Sequence, residues 1–180
     1  KLENFVFDRR VSYSVKSNWK VYLDNFLEGL HIPIVHPGLN DVMDYKSYNT
    51  KLYKNFSVQS GKLDDSKSPY GQSSNNVAYY FTIYPNILFN IAPGRFQTNT
   101  IQPLNEKECV VHFDYFFNSV TKKEILKDIN FSDEIQKEDI LICEEVQKNL
   151  ISVGFEQGII SNKYETGVKH FQDYIKNNIS

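Results

Sequence analysis

Apolar and polar residues alternate through Val11–Lys16, with Val11, Tyr13 and Val15 on one side, and a period of two predicts a strand. From Asn18 to His31 the apolar spacing changes to that of a helix, stopped near Pro33, and Pro37-Gly38 marks a turn. Met43–Tyr53 is polar and tyrosine-rich without a clear period, and Lys54–Ser60 reads as a strand. Ser60–Asn76 gathers Ser, Gly, Asp and Asn and predicts a long loop. Four strand-like runs follow: Val77–Tyr84, Ile87–Ala92, Phe96–Gln102 and Cys109–Asn118. Pro85-Asn86, Pro93-Gly94 and Pro103–Glu108 separate them at hairpin intervals, which predicts an antiparallel meander. Thr121 to about Val153 is helical, with a break expected near Asn130–Ser132. Ser132 is a suitable N-cap, Asp133 and Glu134 suit the first turn, and Gly154 suits the end. A last helix runs from about Glu165 to Lys176. Strands in the middle and helices at both ends define an α+β domain, expected to be single over residues 1–180.

Composition narrows the classes of function. Apolar residues make up 41% and charged residues 23%, a globular balance, and the net charge of -2 offers no basic footprint for nucleic acid. No apolar run approaches the roughly 20 residues that span a bilayer, so no membrane partner is expected. Lys1–Arg10 alternates apolar and charged residues, unlike a leader peptide, and Cys109 and Cys143 are far apart in sequence; the expectation is a reduced, cytoplasmic protein. Aromatics reach 14%, suited to strand packing or to the wall of a substrate pocket.

Two positions carry candidate chemistry. On a helix from Ser132 at 100° per residue, Ile135, Ile142, Cys143, Val146 and Leu150 form one apolar stripe with Asp139 in its middle, while Lys137, Glu138, Glu144, Glu145 and Lys148 lie elsewhere. A carboxylate aimed into a core calls for an ion pair, a hydrogen bond or a metal. On the earlier helix Tyr22, Phe26 and Leu30 point one way, and Asp24, Glu28 and His31 share another stripe. His36 follows His31 across Pro33, so a bend can turn both imidazoles toward one point. Two histidines and a distant carboxylate form a facial triad for non-haem iron, although imidazole also serves zinc and copper. His112, alternating in a strand, and His170, in the last helix, read as hydrogen-bonded structural residues.

The run Asn18-Trp19-Lys20, then Asp24-Asn25-Phe26-Leu27-Glu28-Gly29-Leu30-His31-Ile32-Pro33-Ile34-Val35-His36-Pro37, resembles the iron-binding segment of Rieske-type ring-hydroxylating oxygenase alpha subunits. Gln136-Lys137-Glu138-Asp139-Ile140-Leu141-Ile142-Cys143-Glu144-Glu145-Val146-Gln147 is similar to a helix of the branch that includes choline and carnitine monooxygenases, and Glu165-Thr166-Gly167-Val168-Lys169-His170-Phe171 looks like the family's closing helix. The resemblance implies a helix-grip fold, an antiparallel sheet with a long C-terminal helix packed against it. It implies His31, His36 and Asp139 as ligands of a mononuclear Fe(II), with Asn25 beside the iron. It implies Glu28 as the bridging acid toward the Rieske cluster of a neighbouring subunit in a homo-oligomer, commonly a trimer. Glu28, at a subunit boundary, is expected to be more exposed than Asp139.

That family also carries a Rieske domain whose [2Fe–2S] cluster is held by two Cys and two His in paired CxH and CxxH motifs. Cys109 and Cys143 form no such pair of motifs, so the cluster is expected outside this chain, with a reductase or ferredoxin as the electron source and the chain inactive alone. The resulting expectation is an oxygenase domain acting with O₂ on a small organic substrate by hydroxylation, dihydroxylation or oxidative dealkylation. Aromatic faces around the metal favour a quaternary amine, and Arg95 directed into a flat slot favours an aromatic acid. The alternatives are a helix-grip ligand-binding module without a catalytic metal and a zinc-dependent hydrolase.

Overall fold

The structure is a computed structural model, and it describes residues 2–64, 66 and 76–178. Seven strands form one antiparallel sheet: β1 (Val6–Val15), β2 (Met43–Tyr53), β3 (Phe56–Leu63), β4 (Val77–Ile83), β5 (Ile87–Ala92), β6 (Arg95–Asn105) and β7 (Glu108–Phe117). Their spatial order is β1-β7-β6-β5-β4-β3-β2, so β2 through β7 run as a meander and β1 closes on the last strand. The helices are α1 (Trp19–Phe26), α2 (Ile32–Val35), α3 (Pro37–Val42), α4 (Lys122–Leu150) and α5 (Thr166–Asn178). The α+β class and the helix-grip arrangement agree with the expectation.

Several local expectations are corrected. Met43–Tyr53 is a strand, unrecognised because an edge strand pairs on one side only and leaves most of its residues partly or fully exposed. The expected loop from Ser60 is strand as far as Leu63; its remainder falls largely on Asp65 and residues 67–75, outside the described residues. The first helix ends at Phe26 rather than His31. A Cβ on Gly167 of α5 would lie 2.5 Å from the Leu27 carbonyl oxygen, and one on Gly29 would lie 2.7 Å from the Tyr48 ring. These two approaches confine the chain after Leu27 to a turn, and Leu30 reaches the surface instead of sharing a face with Tyr22.

Helix α4 runs unbroken. Thr121 is its N-cap, in a capping box with Glu124 that satisfies the first backbone donors, so Ser132 lies mid-helix, where its Oγ accepts from the Tyr115 hydroxyl at 3.0 Å. The helix stops at Leu150, and Val146 and Leu150, assigned to the apolar stripe, are exposed. Its buried residues are Asp128, Ile129, Ser132, Gln136 and Cys143, a largely polar set.

That set faces an equally polar sheet surface. Across the register, Gln59, Tyr80, Asn90, Gln97 and Tyr115 form one row, with Ser57, Thr82, Leu88, Asn99 and Phe113 beside it. Buried polar side chains are costly unless something satisfies them, so a face this polar lies under a cavity rather than under a solid core. The apolar core lies toward β1, β7 and α5, around Val15, Leu23, Ile101, Val111 and Phe171. On the opposite sheet face Phe7, Phe116, Phe96 and Phe89 form a ladder with successive centroids 5.5–5.7 Å apart, which accounts for part of the aromatic content.

Candidate metal centre

Helices α1 and α4 pack against each other with α2 nearby, and three side chains meet between them. One ligand atom each of His31, His36 and Asp139 lies within 4.8 Å of the others. His36 Nε2 is 3.0 Å and His31 Nε2 3.8 Å from the same Asp139 oxygen, Oδ1. The far nitrogen of each ring is held by an acid: His31 Nδ1 bonds Glu28 Oε1, and His36 Nδ1 lies 2.7 Å from Glu138 Oε2. An acceptor on Nδ1 holds the proton there and turns the Nε2 lone pair inward, the usual setting of a metal-bound histidine. Asn25 Nδ2 donates to Asp139 Oδ1 at 2.7 Å and fixes the carboxylate. Two imidazoles and one carboxylate, oriented from behind, fit a divalent iron with positions left over.

The turn after α1 places Glu28 and His31. Besides holding the ring, Glu28 accepts from the Leu30 backbone N–H, so the turn and the His31 ring are locked together. The relation of Glu28 to His31 is therefore made by a turn, not by a helical stripe. Glu28 is also less exposed than Asp139, at 11% against 17%, the reverse of the expectation, because its carboxylate is enclosed by this turn. The helical stripe leaves Glu138 off the inward face of α4, yet its side chain reaches His36. Its backbone position points aside, and only the side chain's length brings the oxygen to the ring. The signal in the sequence was an acid adjoining a ligand carboxylate, since metal-bound histidines need acceptors. Burial opposes protonation of His36, but Asp139 and Glu138 outweigh it and raise its pKa above the ordinary value.

His31, His36 and Asp139 all line one cleft, whose empty space is about 750 Å³ with its open mouth included. Tyr22, Phe26, Tyr48, Tyr80 and Phe113 supply aromatic wall. Burial pushes the Tyr22 and Tyr48 hydroxyls well above their ordinary pKa and that of Tyr80 to about 12, so all three stay protonated. Tyr22 donates to Gln136 Oε1 at 2.7 Å and Tyr48 to Gln59 Oε1 at 2.5 Å. Arg95 lines the cleft with its guanidinium on Asp128, 2.8 Å away and equally buried.

The remaining histidines are structural. His112 bonds Ser12 and Gln102 across the sheet, and His170 bonds the Tyr84 hydroxyl. Cys109-Val110-Val111-His112 does have a CxxH spacing, contrary to the expectation, but no CxH motif accompanies it. On β7 the two side chains take opposite faces, Cys109 in the core and His112 outside, so they hold no common ion. Both cysteines are free and buried. No helix among the described residues is long and apolar enough to cross a membrane.

Fold and site together define a class: residues 2–180 match the ring hydroxylating alpha subunit (catalytic domain), and the chain belongs to that family. Its relatives include the chloroplastic choline monooxygenase of Arabidopsis thaliana, 31% identical over 176 residues that cover 94% of this chain and 41% of that protein. The carnitine monooxygenase oxygenase subunit of Acinetobacter pittii (strain PHEA-2) is 29% identical over 161 residues, 84% of this chain and 43% of that one. The chain thus spans about two fifths of the length of these curated relatives. Among solved structures, a quaternary ammonium Rieske monooxygenase, described for carnitine oxidation and inter-subunit electron transfer, has the same fold. Its TM-score is 0.89 at 22% identity, over 98% of this chain and 51% of that one.

Proposed function

We propose that this chain is the mononuclear-iron domain of a Rieske-type monooxygenase, and that the enzyme oxidises a small quaternary ammonium compound. The convergence of His31, His36 and Asp139 in an aromatic-walled cleft carries the reading. These three would hold Fe(II), which supplies the one-electron chemistry that O₂ activation requires. Glu28 and Glu138 set the two imidazoles, and Asn25 holds Asp139 in place. The aromatic faces suit a trimethylammonium group. Arg95 is engaged with Asp128, which leaves an aromatic carboxylate less well served. The relatives named for choline and carnitine support the same class of substrate.

Electrons would come through a [2Fe–2S] centre outside these 180 residues, fed by a reductase. Glu28, already bonded to His31, is the acid best placed to connect the iron ligands with such a centre on a neighbouring subunit of a homo-oligomer. The test is iron content with a spectroscopic readout. Protein loaded anaerobically with Fe(II) should give the ferrous–nitric oxide signal, and choline or carnitine should perturb it. Asp139→Ala should lose iron while keeping its helical circular dichroism. Full iron retention in that variant would refute the ligand assignment.

A further inference from the structure

We propose that Gln136 is a substrate-binding residue that reads a hydroxyl oxygen, so that the cleft selects a quaternary amino alcohol over a betaine carboxylate. The inference rests on the quaternary ammonium reading above and concerns the part of the ligand that is not the cation. Gln136 lies one turn before Asp139 on α4 and lines the same cleft. It is 2% exposed. The Tyr22 hydroxyl donates to Oε1, which fixes the amide with its oxygen toward α1. Nε2 is then a buried donor with no partner among the described residues. A buried donor left unsatisfied costs about 1–3 kcal/mol, so the site is built for something that accepts from it.

The opposite kind of atom is present in the same cleft. Oδ1 of Asn90, in the polar row of the sheet, is a buried acceptor without a partner among the described residues. A hydroxyl both accepts and donates and so answers either atom; a carboxylate only accepts. Charge points the same way. The guanidinium of Arg95 already faces Asp128, so a ligand carboxylate would enter a cleft whose arginine is engaged. A cationic head and an uncharged hydroxyl match what the walls present.

Calorimetric titration of the metal-loaded chain with three ligands tests this. They are choline, propyltrimethylammonium, in which a methyl replaces the hydroxyl, and glycine betaine. Choline should bind roughly tenfold more tightly than propyltrimethylammonium, the worth of one well-made buried hydrogen bond, and glycine betaine should bind more weakly than choline. Gln136→Met keeps the volume and removes both the donor and the acceptor of the Tyr22 hydroxyl. It should abolish most of the choline advantage, weakening choline binding more than propyltrimethylammonium binding. Equal affinity of the unaltered chain for choline and propyltrimethylammonium, or a preference for glycine betaine, would overturn the inference even if Gln136→Met failed to fold. So would a choline advantage that survives in Gln136→Met. Failure of all three ligands to bind would instead remove the quaternary ammonium reading, and the inference with it.

Discussion

Removing Glu138 should weaken metal binding without touching a ligand. Its Oε2 is the acceptor for His36 Nδ1 at 2.7 Å, and the ring itself is fully buried, with Nε2 turned to Asp139. In Glu138→Ala the ring loses the group that sets its tautomer and its angle. Loss of such an outer acceptor reduces metal affinity by about 10–100-fold, or about 1.4–2.7 kcal/mol. Glu138 is 35% exposed, so water can take over part of its role, and the expected loss is near the lower bound, roughly tenfold. Glu28 holds His31 in the same way but is only 11% exposed, so Glu28→Ala should fall nearer the upper bound. The assay is anaerobic competition for Co(II) or Fe(II) against a chromophoric chelator. Glu138→Gln, which keeps a carbonyl acceptor, should recover part of the loss. Wild-type affinity in Glu138→Ala would show that the packing around His36, not the hydrogen bond, fixes the ring. An order reversed between the two alanine variants would refute the use of exposure to rank them.

Three further outcomes follow from other parts of the structure. Burial pushes the Asp24 carboxyl up to about 6, against the opposing effects of Gln172 and Lys20. The folded state therefore holds this proton more tightly than the unfolded chain, and stability contributed by the group is lost as pH rises from about 4 to 6. Asp24→Asn should flatten that part of the stability profile and stabilise the protein at pH 7 by up to about 2–3 kcal/mol; parallel denaturation curves for the two proteins across pH would refute it. Asp128→Ala leaves the Arg95 guanidinium buried without its carboxylate and should cost about 3–5 kcal/mol in urea unfolding, with partial recovery in Asp128→Ala/Arg95→Met; a cost under about 1 kcal/mol would mean the pair is solvated. Finally, the isolated chain with a reductase and NAD(P)H should show no sustained oxygen uptake. Uptake coupled to product would reveal an electron entry within these residues.

What the sequence determined by itself was local or written into spacing. Pro85-Asn86 and Pro93-Gly94 marked the turns on either side of β5, because turn chemistry acts over a few residues and does not wait for the rest of the fold, whereas β6 runs through Pro103 to Asn105. His31, His36 and Asp139 stood out because two long motifs surround them and because a carboxylate in an apolar stripe is anomalous on its own. The tertiary structure decided the rest. Where α1 stops depends on α5 and β2 crowding Gly29 and the Leu27 carbonyl, contacts that bring together residues far apart in the chain. Ser132 lies inside α4 rather than capping it because the helix is already capped at Thr121, and its Oγ accepts from the Tyr115 hydroxyl of β7. Glu138 became a partner of His36 only once two helices were packed. The polar floor of Gln59, Asn90, Gln97 and Asn99 was hidden for a related reason. Alternation along a strand separates two faces but does not say which of them the helices will cover, and here the more polar one was enclosed around a ligand cavity.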